Sequence, residues 1–132
     1  MEEDKFHVGV KALVRDRRGN ILISRAPRER WDLPGGRMKR GEKVPEALRR
    51  ELEEELGVKN FRIGWLHDAV ISDVRITSGN ETHGLCLLVY RCMLPSSEPL
   101  GKGGSDEHKW APKSEVRGLL SNKYPARFLD GL

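Results

Sequence analysis

The apolar residues change their period along the chain, and each period predicts an element. Phe6, Val8, Val10, Ala12 and Val14 occupy every second position, the alternation of a half-buried strand. Asp16-Arg17-Arg18-Gly19-Asn20 then reads as a turn, and the β-branched run Ile21 to Ile23 as the second strand of a hairpin. Ala26 to Gly36 contains Pro27, Pro34, Gly35 and Gly36 and is expected to be a loop without regular structure. From Pro45 to Leu56 strong helix formers follow a proline placed where a first helical turn tolerates it. Val44, Leu48, Leu52 and Leu56 recur at four-residue spacing, so this helix carries one apolar stripe for the core, and Gly57 stands where a left-handed cap ends it.

Lys59 to Val70 reads as extended structure, and Thr77 to Thr82, with Gly79-Asn80, as a turn. Gly84 to Met93 is the most apolar strand and is expected at the centre of the sheet. Pro95 to Asp106, rich in Gly, Ser and Pro, is expected to be a mobile loop, followed by a short strand at His108 to Ala111 and a helix at Lys113 to Leu120. Helices interrupting strands predict an α/β or α+β layered domain. The 132 residues match one ordinary domain, residues 1–132, with one core.

Composition narrows the setting. A hydrophobic fraction of 37% with 33% charged residues is that of a soluble globular chain, and no apolar run approaches the roughly 20 residues that span a bilayer. Glu2, Glu3 and Asp4 after Met1 lack the basic and then apolar pattern of an export signal, so a cytoplasmic setting is the expectation. Cys86 and Cys92 fall in one strand, roughly 20 Å apart at the usual rise per residue, too far for a disulfide. His7, His67, His83 and His108 have no metal-ligand spacing. The net charge of +4 favours an anionic partner without identifying a nucleic-acid binder. Arg25, Arg28, Arg30, Arg37, Lys39 and Arg40 crowd together just before Glu51, Glu53, Glu54 and Glu55, an arrangement suited to a phosphate-bearing substrate bridged by a divalent metal.

On the predicted helix Glu51, Glu54 and Glu55 share one face, while Glu53 points elsewhere. Like charges at this spacing repel, so an attractive partner is expected, and hard oxygen ligands select Mg²⁺ or Mn²⁺. A glutamate-rich face is commonly only solvated surface. Here, however, Gly35-Gly36 precedes it, where the backbone can approach a metal or phosphate closely, and Arg50 is placed to hold a neighbouring carboxylate.

The stretch GRMKRGEKVPEALRRELEEELGV, Gly36 to Val58, resembles the Nudix box, G-x(5)-E-x(7)-R-E-U-x-E-E-x-G-U with U aliphatic, without a departure. Gly36, Glu42, Arg50, Glu51, Glu54, Glu55 and Gly57 fill the identity positions, and Leu52 and Val58 the aliphatic ones. The lead-in Trp31-Asp32-Leu33-Pro34-Gly35-Gly36, and Trp110 with the acidic residues before it, resemble the MutT-type branch. The resemblance implies the Nudix fold, an α-β-α sandwich around a mixed sheet. It also implies Mg²⁺-dependent hydrolysis of a diphosphate linkage in a nucleotide-like substrate, with Mn²⁺ as a substitute. Residue by residue it implies Glu54 and Glu55 as metal ligands with the Gly36 carbonyl, and Glu51 as the carboxylate that orients or deprotonates the attacking water near the metal. Glu42 with Arg50 corresponds to the pair that steadies loop and helix. Arg25 resembles a substrate-phosphate contact, and Glu107 a later carboxylate serving as base or metal ligand, with Asp106 and Glu98 as alternatives.

Specificity lies outside the box. Nothing here matches the marks of the ADP-ribose, diadenosine polyphosphate or NADH branches, which leaves a MutT-type nucleoside triphosphate pyrophosphohydrolase, releasing a monophosphate and diphosphate, as the leading reading. Arg37 joins Arg25 as a candidate for substrate phosphates. Trp31, Trp65, Trp110 and Tyr124 are candidates for stacking on a base, although aromatics more often pack cores. Arg127 stands where the MutT-like segment would carry an asparagine that reads oxidised guanine, which argues against that preference. Two alternatives stand beside this reading: an RNA 5′-triphosphate pyrophosphohydrolase, and a noncatalytic Nudix-like nucleotide sensor. A monomer and a homodimer are equally compatible with the sequence.

Overall fold

The computed structural model describes residues 1–95, 100 and 104–132. In chain order the elements are β1 (Phe6–Leu13), β2 (Ile21–Arg25), β3 (Gly35–Arg37), α1 (Val44–Leu56) and β4 (Arg62–Ile71). They continue with β5 (Ile76–Ser78), β6 (Glu81–Met93), β7 (Glu107–Ala111), α2 (Lys113–Leu120) and α3 (Ala126–Asp130). The main sheet runs β3-β1-β6-β4, with β5 also paired to β6, and β2 and β7 form a separate antiparallel ladder. The sheet is mixed because β1 runs parallel to β6 while the other pairs are antiparallel.

Two-residue alternation divides the interior into two cores, one on each face of the sheet, where the length of the chain suggests one. Val10, Ala12 and Val14 face one side with Leu48, Leu52 and Leu56 of α1. Leu13 turns to the other side with Leu85, Leu87 and Val89 of β6, where Val116, Leu120 and Phe128 from α2 and α3 close over them. The layers are therefore helix, sheet, helix, and β6, flanked by β1 and β4, is central as its apolar sequence implies. The α1 stripe is buried as expected, with Ala47 added and Val44 only partly covered, and Gly57 ends the helix at φ 67°.

Two further readings of the sequence are corrected. The predicted hairpin survives only at its turn, where an Arg15–Ile21 bridge and a Leu22 N–H to Val14 carbonyl bond of 3.0 Å join the arms. Both edges of β1 are taken by β3 and β6, so β2 turns away and pairs with β7, far along the chain. Nor is the whole of Ala26 to Gly36 irregular, since Gly35 and Gly36 begin β3 and pair with Lys11 and Val10. Gly35 sits at φ 136°, and a Cβ there would collide with the Val10 carbonyl oxygen. The glycine that reads as a loop marker is what lets the backbone lie against β1.

The short α3 and β5 are not evident in the sequence pattern. Residues 96–99 and 101–103, within the stretch read as a mobile loop, lie outside the described residues. Beyond them, the N–H groups of Ser105 and Asp106 donate to the carbonyls of Glu54 and Glu55, each at 3.0 Å, and satisfy the open end of α1. Among the described residues no helix is long and apolar enough to cross a membrane.

Candidate active site

The last two turns of α1 lie against β3, and this contact builds the site. Glu51 packs over Gly36 so closely that a Cβ on the glycine would lie 2.6 Å from its Oε1. One turn on, Glu55 accepts a 3.1 Å hydrogen bond from the Gly35 N–H, and its carboxyl is within hydrogen-bonding contact of Glu51. Burial pushes the Glu55 carboxyl up to about 8, with a further push from Glu51, while nearby Lys11 and the Gly35 bond pull the other way.

Arg50 holds the other side of the cluster. Its Nε and Nη2 grip both oxygens of Glu42 at 2.6 and 2.9 Å, its Nη1 reaches Glu51 at 2.8 Å and Glu54 at 3.4 Å, and Nη2 also meets the Arg37 carbonyl at 3.3 Å. The guanidinium hydrogen bonds and the Lys39 N–H hold Glu42 down to about 2, and the Arg50 guanidinium is held charged, mainly by Glu42. Glu54 leans outward, its side chain 55% exposed. Glu53 pairs loosely with Lys59 at 3.8 Å, away from the cluster.

Glu51 and Glu55 are thus side by side, and Glu54 stands apart. Among the described residues no three acidic, imidazole or thiol groups converge as a ready-made cage for an ion. Two touching carboxyls, one of them raised by burial and by the other, nevertheless form a donor set that fits a hard divalent cation, because Mg²⁺ usually takes one or two carboxylates and fills its shell with water and substrate phosphate.

The remaining candidates take distinct places. Arg25, at the end of β2, is bonded to Glu107 at 2.6 Å and lies 4.5 Å from the centre of the Trp31 ring. Lys109 approaches the same ring at 4.8 Å and bonds Glu115 at 2.6 Å. The Arg37 side chain is exposed. Asp106 bonds Ser105, and Glu98 lies outside the described residues. Tyr124, a stacking candidate, is only 1% exposed and stacks on Phe128, so its ring is not open to a base. Trp110 packs with the α1-side core and Trp65 is exposed on β4, near Arg91. The Cys92 thiol is pushed up to about 12 by burial and is chemically quiet.

A second polar cluster was not visible in the sequence. Lys11, buried in β1, donates to Asp32 Oδ2 at 3.1 Å and to the carbonyls of Leu33 at 3.2 Å and Gly35 at 3.1 Å. Asp32 also accepts from Lys123 Nζ and from Tyr124 Oη, both at 2.6 Å. Burial alone would raise the Asp32 carboxyl, but Lys11 and Lys123 bring it down to about 2. The partners are separated by 21 to 92 positions, and the only sequence signal was Asp32 in the lead-in to the glycine pair.

The family model for the NUDIX domain matches residues 5–130. The chain belongs to the Nudix family. It is 28% identical over 126 residues to a MutT-like protein of Streptomyces ambofaciens, covering 95% of this chain and 76% of that protein. It is 32% identical over 63 residues to the 8-oxo-dGTP diphosphatase of Proteus vulgaris, covering 44% of this chain and 55% of the relative. The dihydroneopterin triphosphate pyrophosphohydrolase of E. coli shares the fold, with a TM-score of 0.72 at 15% identity over 96% of this chain and 95% of that one. The mixed sheet between helices is therefore the Nudix fold, and this is a MutT-type Nudix hydrolase acting on nucleotide diphosphate linkages. Nudix hydrolases generally use divalent metal ions.

Proposed function

We propose that residues 1–132 act as one Nudix domain, with its box at 36–58, that hydrolyses nucleoside triphosphates in a Mg²⁺-dependent reaction to a nucleoside monophosphate and diphosphate. The observation that carries this reading is the Glu51–Glu55 pair seated against Gly35 and Gly36 and steadied by Arg50. Glu51, Glu54 and Glu55, with the Gly36 carbonyl, would hold the cation. Bound there, the cation would offset charge on phosphate oxygens and lower the pKa of coordinated water.

The chain's own groups supply the rest. Glu51 orients the attacking water and takes its proton, and Glu107 is the candidate to share that work from β7 once a substrate phosphate has drawn Arg25 away from it. Arg50 fixes where Glu51 and Glu54 stand. Arg25 and Arg37 receive the phosphates, and Trp31, already backing Arg25, offers a ring for the base. In the reaction one phosphoanhydride P–O bond breaks, the water oxygen joins phosphorus, and its protons pass to the carboxylate and solvent. The MutT-like and diphosphatase relatives support the nucleoside triphosphate as substrate.

The test is a screen of nucleoside triphosphates, sugar nucleotides, dinucleotides and 5′-triphosphorylated RNA with Mg²⁺, identifying both products. Monophosphate and diphosphate from a free nucleoside triphosphate are expected, with activity lost in Glu55→Gln and KM raised in Arg25→Ala. Cleavage of triphosphorylated RNA alone, or of no pyrophosphate at all, would sink the proposal.

A further inference from the structure

We propose that Asp32 is a positioning residue for the metal-holding carboxylates: by gathering Lys11, Lys123 and Tyr124 it fixes the Leu33–Gly35 segment against Glu55 and so sets how tightly the site holds a divalent cation. The inference rests on the metal-dependent reading above, and it adds a part of the molecule that the Nudix box does not contain.

The geometry is an unbroken chain of hydrogen bonds. Lys123 and Tyr124, from the segment between α2 and α3, each meet Asp32 at 2.6 Å. Asp32 meets Lys11 at 3.1 Å, and its Oδ1 also accepts the Leu33 N–H at 2.7 Å. Lys11 spends its other two donors on the Leu33 and Gly35 carbonyls. Gly35 turns its own N–H to Glu55 at 3.1 Å. Lys11 is 5% exposed and Tyr124 1%, while the Asp32 and Lys123 side chains keep 21% and 25% exposure, so the network is largely, though not wholly, shielded from water.

The chain has a structural purpose in β3. Gly35 lies at φ 136°, a conformation that the strand alone does not favour, and the Lys11 ammonium bonds its carbonyl just where the backbone must present an N–H to the carboxylate. Without Asp32 the ammonium would lose its charged hydrogen-bond partner and be held by the two carbonyls alone, and the Gly35 N–H would be a less firmly fixed donor for the Glu55 carboxylate. Outer hydrogen bonds of this kind typically change metal affinity by about 10- to 100-fold.

Charge and position predict opposite results for Lys11, which makes the proposal testable. Replacing Lys11 with methionine removes a positive charge close to the carboxylates, which by Coulomb attraction alone would tighten cation binding. A lost anchor would loosen it. Tyr124→Phe changes no charge and removes one hydroxyl.

Mn²⁺ titration followed by electron paramagnetic resonance on the full chain, with circular dichroism and thermal melts as checks of folding, measures the effect without turnover. Lys11→Met and Asp32→Asn are expected to weaken Mn²⁺ binding about tenfold or more, and Tyr124→Phe several-fold. At saturating metal the nucleotide KM should change far less than the Mn²⁺ affinity. A folded Lys11→Met protein that binds Mn²⁺ as tightly as wild type, or more tightly, overturns the proposal. Should both buried-charge variants fail to fold, Tyr124→Phe decides, and unchanged Mn²⁺ affinity there is equally fatal. Wild-type protein that binds Mn²⁺ but cleaves no nucleotide would end the catalytic reading and leave this inference standing.

Discussion

Arg50 holds Glu42 by both carboxylate oxygens, Nε to Oε2 at 2.6 Å and Nη2 to Oε1 at 2.9 Å, and the same guanidinium reaches Glu51 and Glu54. Only a planar fork spans three carboxylates in this way. Arg50→Lys should therefore leave a folded chain whose kcat falls by about 10- to 100-fold, because Glu51 loses its bond while keeping its helix position. Steady-state kinetics with a melting curve check this, and wild-type turnover in Arg50→Lys would remove Arg50 from the site's positioning machinery.

The Glu42 carboxyl is held down to about 2 against an ordinary 4.5, chiefly by the Arg50 hydrogen bonds. A depressed carboxyl stabilises the fold fully above its unfolded pKa and loses that contribution as pH falls through the folded one. Acid titration of wild type between pH 4.5 and 2 should therefore show a loss of stability that is smaller in Glu42→Gln, which cannot titrate there. Parallel slopes in the two proteins would contradict the assignment.

Glu55 behaves in the opposite sense. Its carboxyl is raised from 4.5 to about 8, first by burial, so the folded chain binds an extra proton between those values. Its stabilising contribution is complete below pH 4.5 and declines as pH rises through about 8. In EDTA the melting temperature should fall over this window in wild type and fall less in Glu55→Gln. Since a metal needs the ionised form, added Mg²⁺ should raise the melting temperature more at pH 8 than at pH 6. Equal metal shifts at both pH values would count against Glu55 as a ligand.

The features legible in the sequence are the local ones. Helix α1 announces itself through helix formers, a four-residue apolar stripe and Gly57, each readable within one window, and the central place of β6 follows from its apolar run. Within the site, the contact between Arg50 and Glu42 was readable because the box fixes their spacing. The partner of β2 was not, because Arg25 meets Glu107 across 82 positions and only the occupied edges of β1 explain why β2 leaves it. Lys11 and Asp32 escaped for the same reason. A lysine between Val10 and Ala12 looks like an outward strand residue until Lys123 and Tyr124 arrive from the far end of the chain.

Gly35 and Gly36 look interchangeable in sequence, yet the structure assigns them different work, and alanine separates them. At Gly35 the positive φ and the collision with the Val10 carbonyl make a side chain incompatible with β3. Gly35→Ala should cost a few kcal/mol of stability, on the order of other strained backbone positions, and lower the melting temperature whether or not metal is present. At Gly36 the obstruction is the Glu51 carboxylate, 2.6 to 2.8 Å from the added Cβ, and a side chain can swing aside where a backbone cannot. Gly36→Ala should therefore melt close to wild type but bind Mn²⁺ and turn over substrate at least several-fold more weakly, because Glu51 is pushed away from Glu55. Paired melting and Mn²⁺-binding measurements on the two variants test this division. A Gly36→Ala protein with unchanged metal affinity would mean that the contact between Glu51 and the glycine backbone does not set the geometry of the site.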